Sequence, residues 1–130
     1  KTAKELISAN PKLKAVLDMH RDSKKSREQS VVEINGHKAA RILIIVGSDA
    51  RAPFPNWKEN HAFACRVSDK MKELYPGLSL GVRVQVGRYN QHLHPQSIIL
   101  EIGSTNNTTA EAVYSAKLFA DVLSEVILDD

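Results

Sequence analysis

The chain has a single cysteine, Cys65, among its 130 residues. One thiol excludes an internal disulfide framework and a zinc site built from cysteine ligands. The sequence also lacks a glycine-rich phosphate loop, so nothing in it favours nucleotide binding. No apolar run approaches the roughly 20 residues that a helix needs to cross a bilayer, and we expect no signal peptide in these residues.

An excess of one charge is missing as well. The chain has 18 Lys and Arg against 15 Asp and Glu, for a formal net charge of +3. This balance gives no argument for nucleic acid, and we expect no nucleic-acid partner. Hydrophobic residues make up 42% and charged residues 25% of the chain, as in an ordinary globular protein. The length fits one domain, which we predict over residues 1–130.

Helical and strand patterns alternate along the chain. The tail of an amphipathic helix is predicted over residues 2–9, buried strands over 13–19 and 97–102, and a strand of alternating polarity over 82–86. Residues 31–34 and 39–46 flank Asn35-Gly36, a strong signal for a β-hairpin. The polar segment 21–30, which precedes this hairpin, is predicted as a loop.

Two longer helices complete the pattern. Asn56, with Glu59 three residues later, predicts the start of one helix, and Thr108 with Glu111 predicts the start of the last. Helices that alternate with strands favour an α/β fold. We predict a doubly wound, mainly parallel sheet with helices on both faces and one β-hairpin.

Glu101 is the first candidate for chemistry. It lies in the apolar strand 97–102, on the face opposite Ile98, Leu100 and Ile102. A carboxylate that is partly removed from water suits general acid–base catalysis. The alternative is a glutamate at a strand end whose side chain simply reaches solvent.

His20 is the second candidate, because it follows an apolar strand directly. A neutral imidazole at a strand end is an ordinary zinc ligand, and Asp18 or Asp22 could orient its ring. The alternative is a histidine bonded to loop backbone. His92 and His94 form a further pair, which predicts either loop histidines or a different metal site with His20.

Five motifs, in this order along the chain, resemble the catalytic region of the stage II sporulation protein P family of endospore-forming bacteria. They are DMHRDS at 18–23, PNWKEN at 55–60, RYNQHL at 88–93, ILEIG at 99–103 and NNTTAEA at 106–112. The family is similar to the zinc-dependent N-acetylmuramoyl-L-alanine amidases. This resemblance implies an amidase-like doubly wound α/β domain, in agreement with the pattern of elements.

The resemblance also implies roles for individual residues. His20 matches the last histidine ligand of the zinc, and Glu101 matches the catalytic glutamate. Arg21, Asp22, Asn90 and Gln91 fall in family motifs, as supports of the site or substrate contacts. The implied reaction is cleavage of the amide between N-acetylmuramic acid and L-alanine in peptidoglycan, with cleavage of peptide cross-links in addition.

Partners and location follow from the same resemblance. It implies action on peptidoglycan at the sporulation septum and engulfing membrane, outside the cytoplasm, with the stage II sporulation proteins D and M. Membrane attachment is expected only through an N-terminal anchor outside this chain.

The resemblance is incomplete at the start of the chain. The family's first histidine and first glutamate ligands lie upstream of the His20 strand, and we expect the N-terminal part of the domain to be missing here. A catalytic zinc normally has three protein ligands. We therefore expect the 130 residues alone to bind zinc weakly or not at all and to lack hydrolase activity. Because a sheet that lacks a central strand exposes an edge, we also expect a homodimer through that edge. A non-catalytic module that binds peptidoglycan or a partner is the alternative function.

Overall fold

The computed structural model describes residues 2–128. Its helices and strands, in chain order, are α1 Ala3–Ala9, β1 Val16–Asp22, α2 Arg27–Ser30, β2 Val31–Ile34, β3 His37–Ala40, β4 Ile42–Val46, α3 Trp57–Leu74, β5 Ser79–Val84, a 3-10 turn at Gln91–Leu93, β6 Ser97–Ser104 and α4 Thr109–Leu128. Within residues 2–128, no helix combines the length and the apolar character needed to span a bilayer.

The main sheet has four strands in the order β1-β6-β4-β5. β1 runs parallel to β6 and β4 runs parallel to β5, whereas β4 and β6 are antiparallel. β2 and β3 form a separate antiparallel hairpin. The predicted mixed α/β fold, with a mainly parallel sheet and one hairpin, is confirmed.

One large core joins the sheet to both long helices. It contains Ile44 of β4, Leu100 of β6, Phe63 of α3 and Phe119 of α4, all at most 2% exposed. The other face of the sheet carries a smaller buried cluster of Leu43, Ile45 and Ile99. Because successive side chains of a strand point to opposite faces, every residue of β4 is buried on one side or the other.

The hairpin turn is as predicted, but its second arm is interrupted at Arg41. Asn35 and Gly36 take φ angles of 53° and 82°, as a two-residue hairpin turn with both central residues in the left-handed region requires. The Arg41 amide donates to the Ser30 carbonyl at 2.9 Å, and the Gly103 amide donates to the Arg41 carbonyl at 2.7 Å. At this residue the chain therefore passes from the hairpin into the main sheet, and the prediction of one continuous strand over 39–46 was wrong.

The first strand begins later than predicted and ends later as well. The predicted strand 13–19 corresponds to β1, Val16–Asp22. Residues before it are bonded to side chains instead of a neighbouring strand: His94 Nε2 lies 2.9 Å from the Leu13 carbonyl oxygen, and Gln96 Nε2 lies 2.8 Å from that of Lys14. Strand pairing starts only where the Val16 amide reaches the Gln96 carbonyl.

Helix starts were predicted with mixed success. Thr108 and Glu111 form the expected reciprocal capping bonds at α4, both at 3.1 Å. Asn56 precedes α3 but makes no side-chain capping bond, so its predicted capping role was wrong. The segment predicted as a loop over 21–30 contains the short helix α2, which Ser26 and Gln29 cap reciprocally.

Candidate active site

His20 and Glu101 lie opposite each other in the parallel pairing of β1 with β6. Paired residues of neighbouring strands point to the same face, with backbones roughly 5 Å apart. On its other side, Glu101 is paired with Leu43 of the small apolar cluster. The structure thus brings the two candidates together near the carboxyl ends of β1 and β6, where α/β sheets commonly hold their functional groups.

Asp18 orients the His20 ring. Its Oδ1 atom lies 2.9 Å from Nε2 of His20, and the two side chains are 59% and 53% exposed. Since residues two apart in a strand share a face, this contact follows directly from the DMH sequence. A carboxylate on one ring nitrogen leaves the other nitrogen, Nδ1, available as a ligand.

Asp22 continues the same face beyond His20 and meets Lys25. The Lys25 ammonium lies 2.5 Å from Asp22 Oδ2 and 3.7 Å from Glu101 Oε2. The hydrogen bond from Lys25, together with one from the Lys24 backbone amide, lowers the pKa of Asp22. The side chains of Asp22, Lys25 and Glu101 are 16%, 17% and 20% exposed, so this is a largely desolvated group of charges.

Lys25 was missed by the sequence analysis. Its segment has no apolar periodicity and contains two successive lysines, so nothing in the pattern distinguishes Lys25 from Lys24. The Asp-x-x-Lys spacing from Asp22 is the one signal that points to it, because a tight turn brings such a pair together.

An ion pair fixes the segment that carries Lys25. Arg27 donates to both carboxylate oxygens of Glu111, at 2.9 and 2.6 Å. Asn107 and the Thr108 amide donate to the same carboxylate. The bonds from Arg27 are the largest cause of the fall in the pKa of Glu111, from 4.5 to about 2.

Arg21 points away from Glu101. Its guanidinium donates to the Thr108 carbonyl at 3.3 Å, at the start of α4. It lines an open cleft of about 390 Å³ with Met19 and Val113. Alternation along β1 places Arg21 on the face opposite His20 and Asp22, but His20 also lines this cleft, and the role of Arg21 as a support of the site or a substrate contact stays a prediction.

Gln91 is a support of the fold. It is 1% exposed; its Oε1 accepts from the Gly47 amide at 2.7 Å and its Nε2 donates to the Ile45 carbonyl at 3.1 Å. This buried amide fixes the end of β4 through these two bonds.

Asn90 has a different position. It adopts φ 61° and lines a second cleft of about 540 Å³, which also contains the exposed Tyr89, Leu6 of α1, and Asp18. This cleft therefore reaches the carboxylate that orients His20.

The alternative metal site of His20 with His92 and His94 is wrong. His94 Nδ1 accepts from the Gln96 amide and its Nε2 lies 2.9 Å from the Leu13 carbonyl oxygen, so both ring nitrogens serve the fold. His92 packs edge-on against Phe54, and burial lowers its pKa.

Zinc does not fit the donor atoms of residues 2–128 taken alone. This part of the chain contains no group of three His, Cys, Asp or Glu side chains that could hold a metal ion. His20 supplies one imidazole, whose Nε2 contacts Asp18, and the carboxylates of Asp22 and Glu101 face an ammonium group.

Comparison with known proteins decides the family. The family model described as Stage II sporulation protein P matches residues 1–124. The chain belongs to the stage II sporulation protein P family. It is 33% identical over 131 residues to the stage II sporulation protein P of Bacillus subtilis (strain 168), an alignment that covers 97% of this chain. The same alignment covers 31% of that relative, so the chain spans about a third of its length.

Membership of the stage II sporulation protein P family makes this a sporulation-related protein. It also agrees with the resemblance drawn from the five motifs. The roles of His20 and Glu101 stay predictions, as do zinc, peptidoglycan and the sporulation proteins D and M. Pairing of two copies through an exposed sheet edge is likewise still a prediction.

Proposed function

We propose that this chain carries the catalytic carboxylate of a peptidoglycan hydrolase that acts in sporulation. The bond cut is the amide between N-acetylmuramic acid and L-alanine, and peptide cross-links are a second target. The observation that supports this most is the register of β1 and β6, which pairs Glu101 with His20. Membership of the stage II sporulation protein P family supports a role in sporulation.

Glu101 is the general base and then the general acid of this proposal. Its carboxylate takes a proton from a water molecule, whose oxygen adds to the carbonyl carbon of the amide. The proton then passes from the Glu101 carboxyl to the leaving nitrogen, the C–N bond breaks, and the carboxylate is regenerated. The apolar cluster of Leu43, Ile45 and Ile99 on the same face excludes water from one side of the carboxylate.

We propose zinc binding only for a gene product that contains further residues besides this chain. Since residues 2–128 do not assemble three ligands, we derive no catalytic step through the metal. We propose that His20 contributes one ligand there, oriented by Asp18, and that residues outside this chain contribute the others. In the same proposal the protein works outside the cytoplasm at the engulfing membrane, with the sporulation proteins D and M.

The experiment is release of peptide from purified cell-wall sacculi by the full-length gene product. We expect Glu101→Gln to lower the rate by about 10²–10⁴-fold, the range typical of a lost general acid–base. Glu33→Gln is the matched control, because Glu33 is an exposed glutamate on the hairpin. A Glu101→Gln protein that kept the wild-type rate would exclude Glu101 as the base.

A binding module is the second candidate function. The cleft lined by Tyr89, Asn90 and Leu6 is open to solvent and combines an aromatic ring with a free amide, as sugar-binding surfaces do. This reading expects the 130-residue chain to sediment with sacculi and Tyr89→Ala to lose that binding, with Trp57→Ala as the control. Sedimentation unchanged by Tyr89→Ala would reject it.

A further inference from the structure

Lys25 occupies a position that the proposed reaction does not yet use. Its side chain is 17% exposed, in hydrogen-bond contact with Asp22 at 2.5 Å, and 3.7 Å from Oε2 of Glu101. Lysine is among the residues least often buried unless it is paired. A lysine buried to this degree against two carboxylates is therefore held for a reason, either of stability or of function.

The backbone of Lys25 is fixed from several directions. Asn106 Nδ2 donates to the Lys25 carbonyl at 2.8 Å, and the Lys24 amide donates to Asp22 Oδ1 at 2.7 Å. The next residue, Ser26, begins α2 with reciprocal capping bonds, and Arg27 is bonded to Glu111. The ammonium is thus carried on a segment with little conformational freedom, as preorganised sites require.

The distance to Glu101 is longer than a hydrogen bond. Donor–acceptor distances of 2.7–3.2 Å are usual for N–H···O bonds, so at 3.7 Å the ammonium attracts the Oε2 atom without occupying it. The short hydrogen bond of the Lys25 ammonium is made to Asp22 instead. Such an arrangement can orient a carboxylate while it stays free to accept a proton.

We propose that Lys25 is a positioning residue for Glu101. Anchored by Asp22, its ammonium keeps the Glu101 carboxylate in the orientation from which it takes the proton of the attacking water. This proposal rests on the proposed function, since it gives Lys25 a role through Glu101.

The test compares neighbouring lysines in the full-length gene product with sacculi as substrate. We expect Lys25→Met to lower kcat by about 10–100-fold, the effect of a misplaced catalytic group, with KM within about twofold of wild type. Lys25→Arg keeps the cation and recovers most of kcat. Lys24→Met is the matched control, because the adjacent Lys24 side chain is exposed, and it keeps wild-type kcat.

A second measurement on the 130-residue chain does not depend on hydrolysis. Nitrogen-15 NMR of lysine ammonium groups should show a signal for Lys25 whose protons exchange slowly with water, since Asp22 holds it. Asp22→Asn should remove that signal. Absence of a slowly exchanging Lys25 ammonium would overturn the placement on which the proposal depends.

The outcomes separate the two proposals. Hydrolysis by the wild type together with an unchanged kcat for Lys25→Met refutes the role of Lys25 alone. A raised KM with an unchanged kcat also refutes positioning. So does a Lys25→Arg variant that is as slow as Lys25→Met and has an equally lowered melting temperature. A wild-type protein with no hydrolysis refutes the proposed function, and the role of Lys25 falls with it.

Discussion

The ion pair of Glu111 with Arg27 ties the segment that carries Lys25 to helix α4, and its removal is open to measurement. The Glu111 side chain is 7% exposed and accepts hydrogen bonds from Arg27, Asn107 and the Thr108 amide. Glu111→Gln keeps an acceptor for Asn107 and Thr108 but presents an amide instead of a carboxylate to Arg27. We expect a destabilised fold whose deficit depends on pH.

The magnitude follows from the pKa of Glu111, which the fold lowers from 4.5 to about 2. At 1.36 kcal/mol for each factor of ten, this corresponds to roughly 3 kcal/mol of stability. Because the Arg27 side chain is 43% exposed, solvent screens part of it, and we expect about 2 kcal/mol at pH 7.

The direction of the pKa change of Glu111 determines how the loss of stability depends on pH. A carboxyl group whose pKa is lower in the folded state stabilises the fold above its unfolded pKa, and this contribution disappears as the pH falls through the folded pKa. The difference in unfolding free energy between wild type and Glu111→Gln should therefore be full above about pH 5 and close to zero near pH 2.

Urea unfolding followed by circular dichroism at a series of pH values measures this difference. Glu28→Gln, at an exposed glutamate of α2, is the matched control and should show no such deficit. A deficit at pH 7 below about 0.5 kcal/mol, or one of the same size at pH 2 and pH 7, would refute the assigned role of the ion pair.

Two further substitutions test the packing around the site. Gly103 has φ 61°, and an added Cβ would lie 2.8 Å from the Cβ of Ala40; we therefore expect Gly103→Ala to destabilise the fold by more than about 2 kcal/mol. Gly36→Ala, at φ 82° with open space around it, should cost about 1 kcal/mol. Equal losses of stability for Gly103→Ala and Gly36→Ala, measured by calorimetry, would contradict this difference. Gln91→Leu leaves the Gly47 amide and the Ile45 carbonyl without partners and should cost about 2–3 kcal/mol in urea unfolding, whereas an unchanged midpoint would contradict the assigned support.

Local features were predictable from the sequence because their causes are local. The Asn35-Gly36 turn and the Thr108–Glu111 capping pair each depend on residues within a few positions of one another. The continuous apolar run 42–46 correctly predicted a strand that is buried on both faces. The break at Arg41 was not predictable in this way, because it depends on Ser30 and Gly103, which are distant in sequence.

The candidate site was likewise predictable from the sequence only in part. The strand pattern and the motif resemblance both singled out His20 and Glu101, but neither contains information on the pairing of two strands whose contacting residues are so far apart in the chain. Alternation does separate Arg21 from His20, and this could have been read from the sequence once the strand was known to continue to Asp22. Lys25 is set against Glu101 by a turn and an interhelical ion pair, neither of which leaves a periodic signal.

The most direct measurement of the central claim is the mass of the soluble fragments that the full-length gene product releases from purified sacculi. Scission at the sugar–peptide amide predicts free peptides that begin with L-alanine, at a rate that collapses in Glu101→Gln. Fragments that retain the muramic acid–alanine bond and show no cleaved cross-links, or an equal yield from the glutamine variant, would contradict the account.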